Sequence, residues 1–331
     1  MVGACGSHAD KVIAGYMGFR LPRLKVITAD NKVRRGVFYY SIAAFSLIPL
    51  IFLLFFLLGE WPEHGATAFD FYVATFTFLV TGEAFVFLIL TWRWDISGYY
   101  VRLAFSLAFL TICFRRGGRL ALFVAIASFV VQWLVLSRPR TKSFDELTFP
   151  LRNGWYYVAH GGSLRIINLH RHAPVKFQRY ALDIVRLNRF GYRARGIYPR
   201  ELKAYAIFHD ILYSPCEGVV TAVVNDLPDL PPGEMDPKQM AGNHIVIQCD
   251  GADTFVCLAH LAQGSVCVRP GDTVTVGQRL AQVGNSGNTS EPHLHIQVKR
   301  GGRPDSMLDG EGVAIRFDGR WLIRNSVVRS H

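Results

Sequence analysis

The sequence predicts N-terminal transmembrane α-helices followed by an all-β C-terminal domain, an antiparallel β sandwich or barrel. Three observations carry this. Residues 37–58, VFYYSIAAFSLIPLIFLLFFLL, hold no charge over 22 positions. From about residue 151 onward, short β-branched runs alternate with turn residues. The net charge of +11 lies mostly in the apolar half: residues 1–144 hold 15 Lys+Arg and 7 Asp+Glu, and the remainder holds 21 and 18.

Composition sets the limits. The 331 residues are 50% hydrophobic and 18% charged, with a mean hydropathy of +0.22. A chain this apolar is not disordered. Its 30 Gly and 15 Pro follow no period, which excludes collagen-like repeats. Six Cys are too few for a disulfide scaffold. The Lys and Arg flank apolar segments, where membrane proteins keep them to set orientation and meet anionic lipid. A nucleic-acid binder carries its basic patch, interleaved with aromatics, on the folded domain, so no nucleic-acid partner is expected.

Residues 1–36 form a basic N-terminal segment and 37–137 the membrane region, with three or four spans in a lipid bilayer. At 1.5 Å per residue, 37–58 crosses the hydrocarbon core, and Pro49 is tolerable there. The segment is too long, and starts too late, for a cleaved signal peptide. Further spans are expected at 70–91, 99–114 and 119–137. Glu83 in the second reads as a packing or snorkelling residue near a helix end. Lys32, Arg34 and Arg35 favour a cytoplasmic N-terminus. Arg138, Arg140 and Lys142 would keep the C-terminal half there too, but Arg115, Arg116 and Arg119 would then lie outside. No four-span orientation satisfies every cluster, and an odd number of crossings places the C-terminal half outside. Residues 138–150, with Pro139 and Pro150, read as a linker.

In 151–331, strands are expected at 218–224, 243–249, 253–261, within 266–284, and at 293–301. Residues 226–241, with four prolines, read as a surface loop. Cys216, Cys249, Cys257 and Cys267 show no CxxC zinc spacing. Cys249 and Cys257 flank a hairpin. Free thiols and a disulfide outside the cytoplasm both fit, the former being the commoner state.

The chemistry centres on His293-Leu294-His295. On a strand, residues i and i+2 share a face, so two imidazoles project into one site. Neutral imidazole ligates Zn²⁺ and also exchanges protons. His260 lies about one hairpin upstream and Asp183 in a strand-like stretch. Asp and several His from separate strands suit a catalytic zinc site with an open position. His209 and His244 have no evident ligand role and read as structural or groove-lining.

The run 258–298, LAHLAQGSVCVRPGDTVTVGQRLAQVGNSGNTSEPHLHIQV, resembles the second half of the LytM/lysostaphin-type zinc metallopeptidases, peptidase family M23. YSPCEGVVTAVVND (213–226) and GNHIVIQ (242–248) resemble two further strands of that family. The resemblance covers roughly 165–300. It implies an all-β domain with a groove, one Zn²⁺ per chain, and hydrolysis of peptide bonds in bacterial peptidoglycan. His295 matches a zinc-ligand position, Asp183 the ligating Asp, and His260 and His293 the catalytic histidines. The family's remaining ligand, a His four residues before the Asp, is Arg179 here, and a guanidinium cannot ligate zinc. Asn168-Leu169-His170-Arg171-His172 lies upstream. His170 is the expected third ligand, with His172 the alternative.

The resulting expectation is a membrane-anchored zinc metalloendopeptidase at the bacterial cytoplasmic membrane. Its β domain faces the periplasmic or extracellular side, with a regulatory membrane or cell-wall protein as a further partner. The rival is a non-catalytic LytM-like domain that binds or activates a cell-wall partner, which Arg179 favours. A carrier-like β domain is a second rival. It lacks a lysine at a hairpin tip and gives His293 and His295 no role.

Overall fold

The structure, a computed structural model, describes residues 91–171, 175–249 and 253–331. The spans expected at 37–58 and 70–91 lie outside these, apart from Thr91, as does His172. The described residues form two units: 91–138 with Arg189–Tyr192, and Pro139–Asn188 with Arg193–His331.

The first unit is helical. A short helix α1 (Trp94–Ser97) ends at Gly98, whose φ of 80° breaks the helical path. Helix α2 (Tyr99–Ser137) then runs 39 residues without interruption. This corrects the expected pair of spans at 99–114 and 119–137, because Arg115, Arg116 and Arg119 lie within one helix and not in a loop. No proline falls between 99 and 137. The Gly117–Gly118 pair costs roughly 1 kcal/mol per residue, which long helix-forming flanks outweigh. Among the described residues no helix is long and apolar enough to cross a membrane.

The second unit is β. Its strands are β1 (Phe144–Leu147), β2 (Gly154–His160), β3 (Leu182–Leu187), β4 (Ile211–Tyr213), β5 (Gly218–Val224), β6 (Asn243–Cys249) and β7 (Thr254–Leu261). They continue through β8 (Thr273–Val274), β9 (Arg279–Gln282), β10 (Leu294–Arg300), β11 (Glu311–Phe317), β12 (Arg320–Trp321) and β13 (Val327–Ser330). Eleven form one sheet with the path β13-β2-β3-β10-β7-β6-β5-β8, and β11 joins β10, β1 and β12. The pairs are antiparallel except β1 with β11. β1 lies inside the segment 138–150 expected as a linker. β4 and β9 form a separate two-stranded sheet. The Pro-rich stretch 226–241 contains no named strand.

β10 is central and buried on both faces along almost its whole length. Its even residues, Leu294, Ile296 and Val298, enter the main core with Leu182 and Ile184 of β3 and Val256 and Leu258 of β7. Full burial of each such side chain contributes about 1.5–3 kcal/mol. Its odd residues face the other way. There Cys257 and Ala259 of β7 pack with Ala241, Val246, Phe255 and Met307 in a second cluster. Alternation therefore delivers His295 and Gln297 to a face that is polar at one end and walled by apolar residues.

Candidate metal centre

Asp183 and His295 are direct cross-strand neighbours on β3 and β10, and Ala259 flanks His295 on β7. This register brings together residues 112 apart in sequence. Asp183 Oδ1 lies 2.9 Å from His295 Nδ1 and 3.4 Å from His293 Nε2. Asp183 Oδ2 lies 2.8 Å from His170 Nε2. The rings of His170 and His295 meet edge-on at 4.7 Å, and those of His260 and His293 lie 4.9 Å apart. The five expected site residues thus stand in one cluster. Its atoms form two overlapping sets able to hold a cation: His170, Asp183 and His295, and His260, His293 and His295.

Each side chain is held from behind. His170 sits in the loop between β2 and β3, and buried Asn168 wires that loop. The Asn168 amide donates to the carbonyls of Gly162 and Ala181, and its oxygen accepts the His170 N–H. Arg179 faces Glu311 at 3.7 Å instead, so the spacing departure leaves a guanidinium in an ion pair outside the cluster.

His260, next to last in β7, has φ 61°, a sparsely populated conformation for a residue with a side chain. Its Nδ1–H donates to the Ser286 carbonyl at 2.9 Å. Ser286 is fixed in turn: its hydroxyl donates to Leu261 and accepts the Asn243 N–H. Two glycines permit this close approach. A Cβ on Gly242 would lie 2.1 Å from the Ser286 oxygen, and one on Gly287 would lie 2.4 Å from the Gln239 oxygen. Both have positive φ.

His293 Nδ1–H donates to the Glu291 carbonyl at 2.8 Å, beside Thr289 Oγ1. The Glu291 carboxylate is itself buried against Arg193, whose Nε and Nη2 reach it at 2.7–2.9 Å. Tyr198 O–H donates to the Ser290 carbonyl. Residues 193–198 thus clamp the turn that leads into His293. Sequence reasoning named neither Arg193 nor Glu291. It also passed over Gln297, which the alternation of β10 places two residues from His295 on the same face.

Gln297 determines the chemistry of His295. Its amide nitrogen donates to the Met307 carbonyl at 2.7 Å, so its oxygen faces His295 Nε2 at 3.0 Å. His295 Nε2 therefore carries the proton and Nδ1 is a bare lone pair. Burial, the largest influence, lowers the His295 pKa and keeps the ring neutral. A lone pair then faces a carboxylate oxygen at 2.9 Å, an arrangement that needs a cation between them. The donor set fits a divalent metal, with imidazole and carboxylate ligands suited to zinc.

The electrostatics agree. Burial opposes ionisation of Asp183, but His170 and His293 outweigh it and hold the carboxyl well below its usual range. Burial likewise disfavours a charged His293, but Asp183 and Glu291 outweigh it and raise that pKa. His260 is pushed well below the usual histidine value, first by burial and then by His293 and His295. A pocket opens over the cluster, bordered by His170, His260, Phe177, Met240, Asn288 and Met307. His209 stacks on Phe208, and His244 Nδ1 lies 2.7 Å from the Gly242 carbonyl. Neither borders that pocket.

Residues 208–306 match the sequence profile described as Peptidase family M23. This part of the chain is similar to M23 peptidases. The matched span holds His260, His293 and His295, while His170 and Asp183 precede it. Peptidoglycan DD-endopeptidase ShyA of Vibrio cholerae is 39% identical to this chain over 64 residues, 19% of this chain and 14% of ShyA. The chain therefore spans far less than two thirds of that relative. Among solved structures, a mutant catalytic domain of the prophage-encoded M23 protein EnpA from Enterococcus faecalis is 22% identical. That likeness covers 33% of this chain and 68% of EnpA's, with a TM-score of 0.25. A zinc-containing peptidase from Vibrio cholerae is also 22% identical, over 53% of this chain and 40% of its own, with a TM-score of 0.26.

Proposed function

We propose that the protein is a zinc metalloendopeptidase that hydrolyses peptide bonds in bacterial peptidoglycan. One observation carries the reading: the bare Nδ1 of His295 and the Asp183 carboxylate converge, with His170 on the carboxylate's second oxygen. The M23 profile match and the similarity to ShyA, whose name specifies a peptidoglycan DD-endopeptidase, support the substrate class.

His170, Asp183 and His295 would hold the ion. Zinc, when bound, supplies a Lewis acid for the scissile carbonyl and acidifies water toward neutral pH. His260 is buried and neutral, with Nδ1–H anchored on Ser286, so its Nε2 is free to accept a proton from the attacking water. His293, whose charged form Asp183 and Glu291 favour, is the group suited to stabilise the oxyanion and protonate the departing amine. The apolar walls around the cluster limit water and strengthen these interactions.

The β domain is proposed to be tethered to the cytoplasmic membrane and to face the cell wall. The charge-free run 37–58 supports tethering. So do exposed apolar side chains on α2: Phe123 is 69% exposed, and Val131 and Leu134 are each 58% exposed. An alkaline phosphatase fusion after residue 145 should be active. High β-galactosidase activity from the matching fusion, with a silent phosphatase, would contradict this placement.

The activity test is digestion of purified peptidoglycan by the zinc-supplied full chain, with released peptides identified by mass spectrometry. Cleavage should vanish on chelation and in His260→Ala and His293→Ala. A folded, zinc-loaded chain that releases nothing would leave the non-catalytic binder in its place.

A further inference from the structure

The four cysteines of the β unit occupy three environments. Cys257 is completely buried, and burial pushes its thiol up to about 12. Cys267 is exposed and its Sγ donates to the Leu280 carbonyl. Cys216 and Cys249 are half-buried at the margin of the main core, and their sulfurs touch at 2.7 Å. Sheet register creates this contact. Cys216 stands in the turn that enters β5, Cys249 ends β6, and Gly218 of β5 is the direct partner of Cys249. The two are 33 residues apart, so their meeting depends on the folded hairpin.

We propose that Cys216 and Cys249 are an oxidisable pair that closes a disulfide between the start of β5 and the end of β6. The oxidant is a low-molecular-weight disulfide. One cysteine thiolate attacks it, breaking its S–S bond, releasing one small thiol and leaving a mixed disulfide on the protein. The second thiolate displaces the other small thiol and forms the Cys216–Cys249 bond. Two electrons pass to the oxidant, and the two cysteine protons leave on the two released thiols. Half-burial lets a small oxidant reach the pair, while the sheet holds the second thiol ready for the displacement. The bond closes a loop that includes Met240 and Ala241 of the pocket wall and Asn243, which anchors Ser286 behind His260. The cross-link therefore fixes the hairpin that supports one side of the candidate site, and it stands or falls independently of the metal. A pair of this kind suits an oxidising compartment.

The test uses the full chain. It is equilibrated in glutathione mixtures from fully reduced to strongly oxidised, then blocked with iodoacetamide in denaturant. Digestion without reduction and mass spectrometry identify every linkage. Protection of Cys257 from alkylation before denaturation establishes that the sample is folded. The expected result is a 216–249 linked peptide pair, formed at least tenfold more in the folded chain than in the same mixture with guanidinium. Cys216→Ser should abolish the link and leave Cys249 alkylated or capped by glutathione. Full alkylation of both cysteines at every mixture would overturn the proposal. So would glutathione caps on both without a link, linkage of Cys249 to Cys257 or Cys267, or equal yields in folded and unfolded chains.

Discussion

Replacing Gln297 with Leu tests how the site is wired. The Gln297 side chain is almost completely buried and bridges two groups, accepting from His295 Nε2 at 3.0 Å and donating to the Met307 carbonyl at 2.7 Å. Leucine has a similar volume, so the packing loss is small and the hydrogen-bond loss dominates. Two buried polar groups lose their partners, each at about 1–3 kcal/mol. The fold should therefore weaken by about 2–6 kcal/mol, read as a lower urea midpoint. Without its anchor, His295 is free to rotate and to change tautomer, so Nδ1 is no longer always bare. Loss of such an outer partner typically reduces metal affinity 10–100-fold, or about 1.4–2.7 kcal/mol. The assay is competition of the full chain against a chromophoric zinc chelator at pH 7.5. Wild-type zinc affinity in a folded Gln297→Leu chain would refute the assigned tautomer and the donor-set argument built on it.

Three other outcomes follow from the same geometry. Leu294→Ala, between the two site histidines but facing the core, should cost about 2–5 kcal/mol of stability in urea unfolding; a loss below 1 kcal/mol would mean that β10 is not central. Arg193→Met alone should cost about 3–5 kcal/mol by stranding the Glu291 carboxylate, whereas Arg193→Met with Glu291→Leu should recover much of that; strictly additive losses would contradict a coupled pair. In the chelated chain, the folded His260 pKa lies well below the unfolded value of about 6.5. The unfolded chain thus binds a proton that the folded chain refuses, so this histidine's contribution is present above about pH 6.5 and lost as pH falls. Wild type should lose stability faster than His260→Gln between pH 7.5 and 5.5, and parallel curves would count against a buried neutral His260.

Much of the β unit was legible because its strands carry their signal locally. The β-branched runs at 218–224 and 243–249 coincide with β5 and β6, since alternation and flanking turns act over a few residues. His293 and His295 were legible for the same reason. Their meeting with Asp183 was not readable from periodicity, because it depends on β3 lying beside β10 across 112 residues. The Arg179 position shows how a spacing rule fails. The loop before β3 folds back through Asn168, so a histidine 13 residues from Asp183 arrives beside it. Arg193 and Glu291, 98 residues apart, had no sequence signal, since a buried ion pair looks like two surface charges until topology joins them. Helix α2 was misread as two spans because an arginine cluster beside two glycines resembles a loop. Helix propagation carried the backbone through it.

The most direct measurement is the zinc content of the purified full chain, alone and as His170→Ala, Asp183→Asn and His295→Ala. One zinc per chain, lost in all three variants while each remains folded, is the predicted result. A folded wild-type chain that takes up no zinc when supplied with it, or variants that keep a full equivalent, would contradict the metal centre.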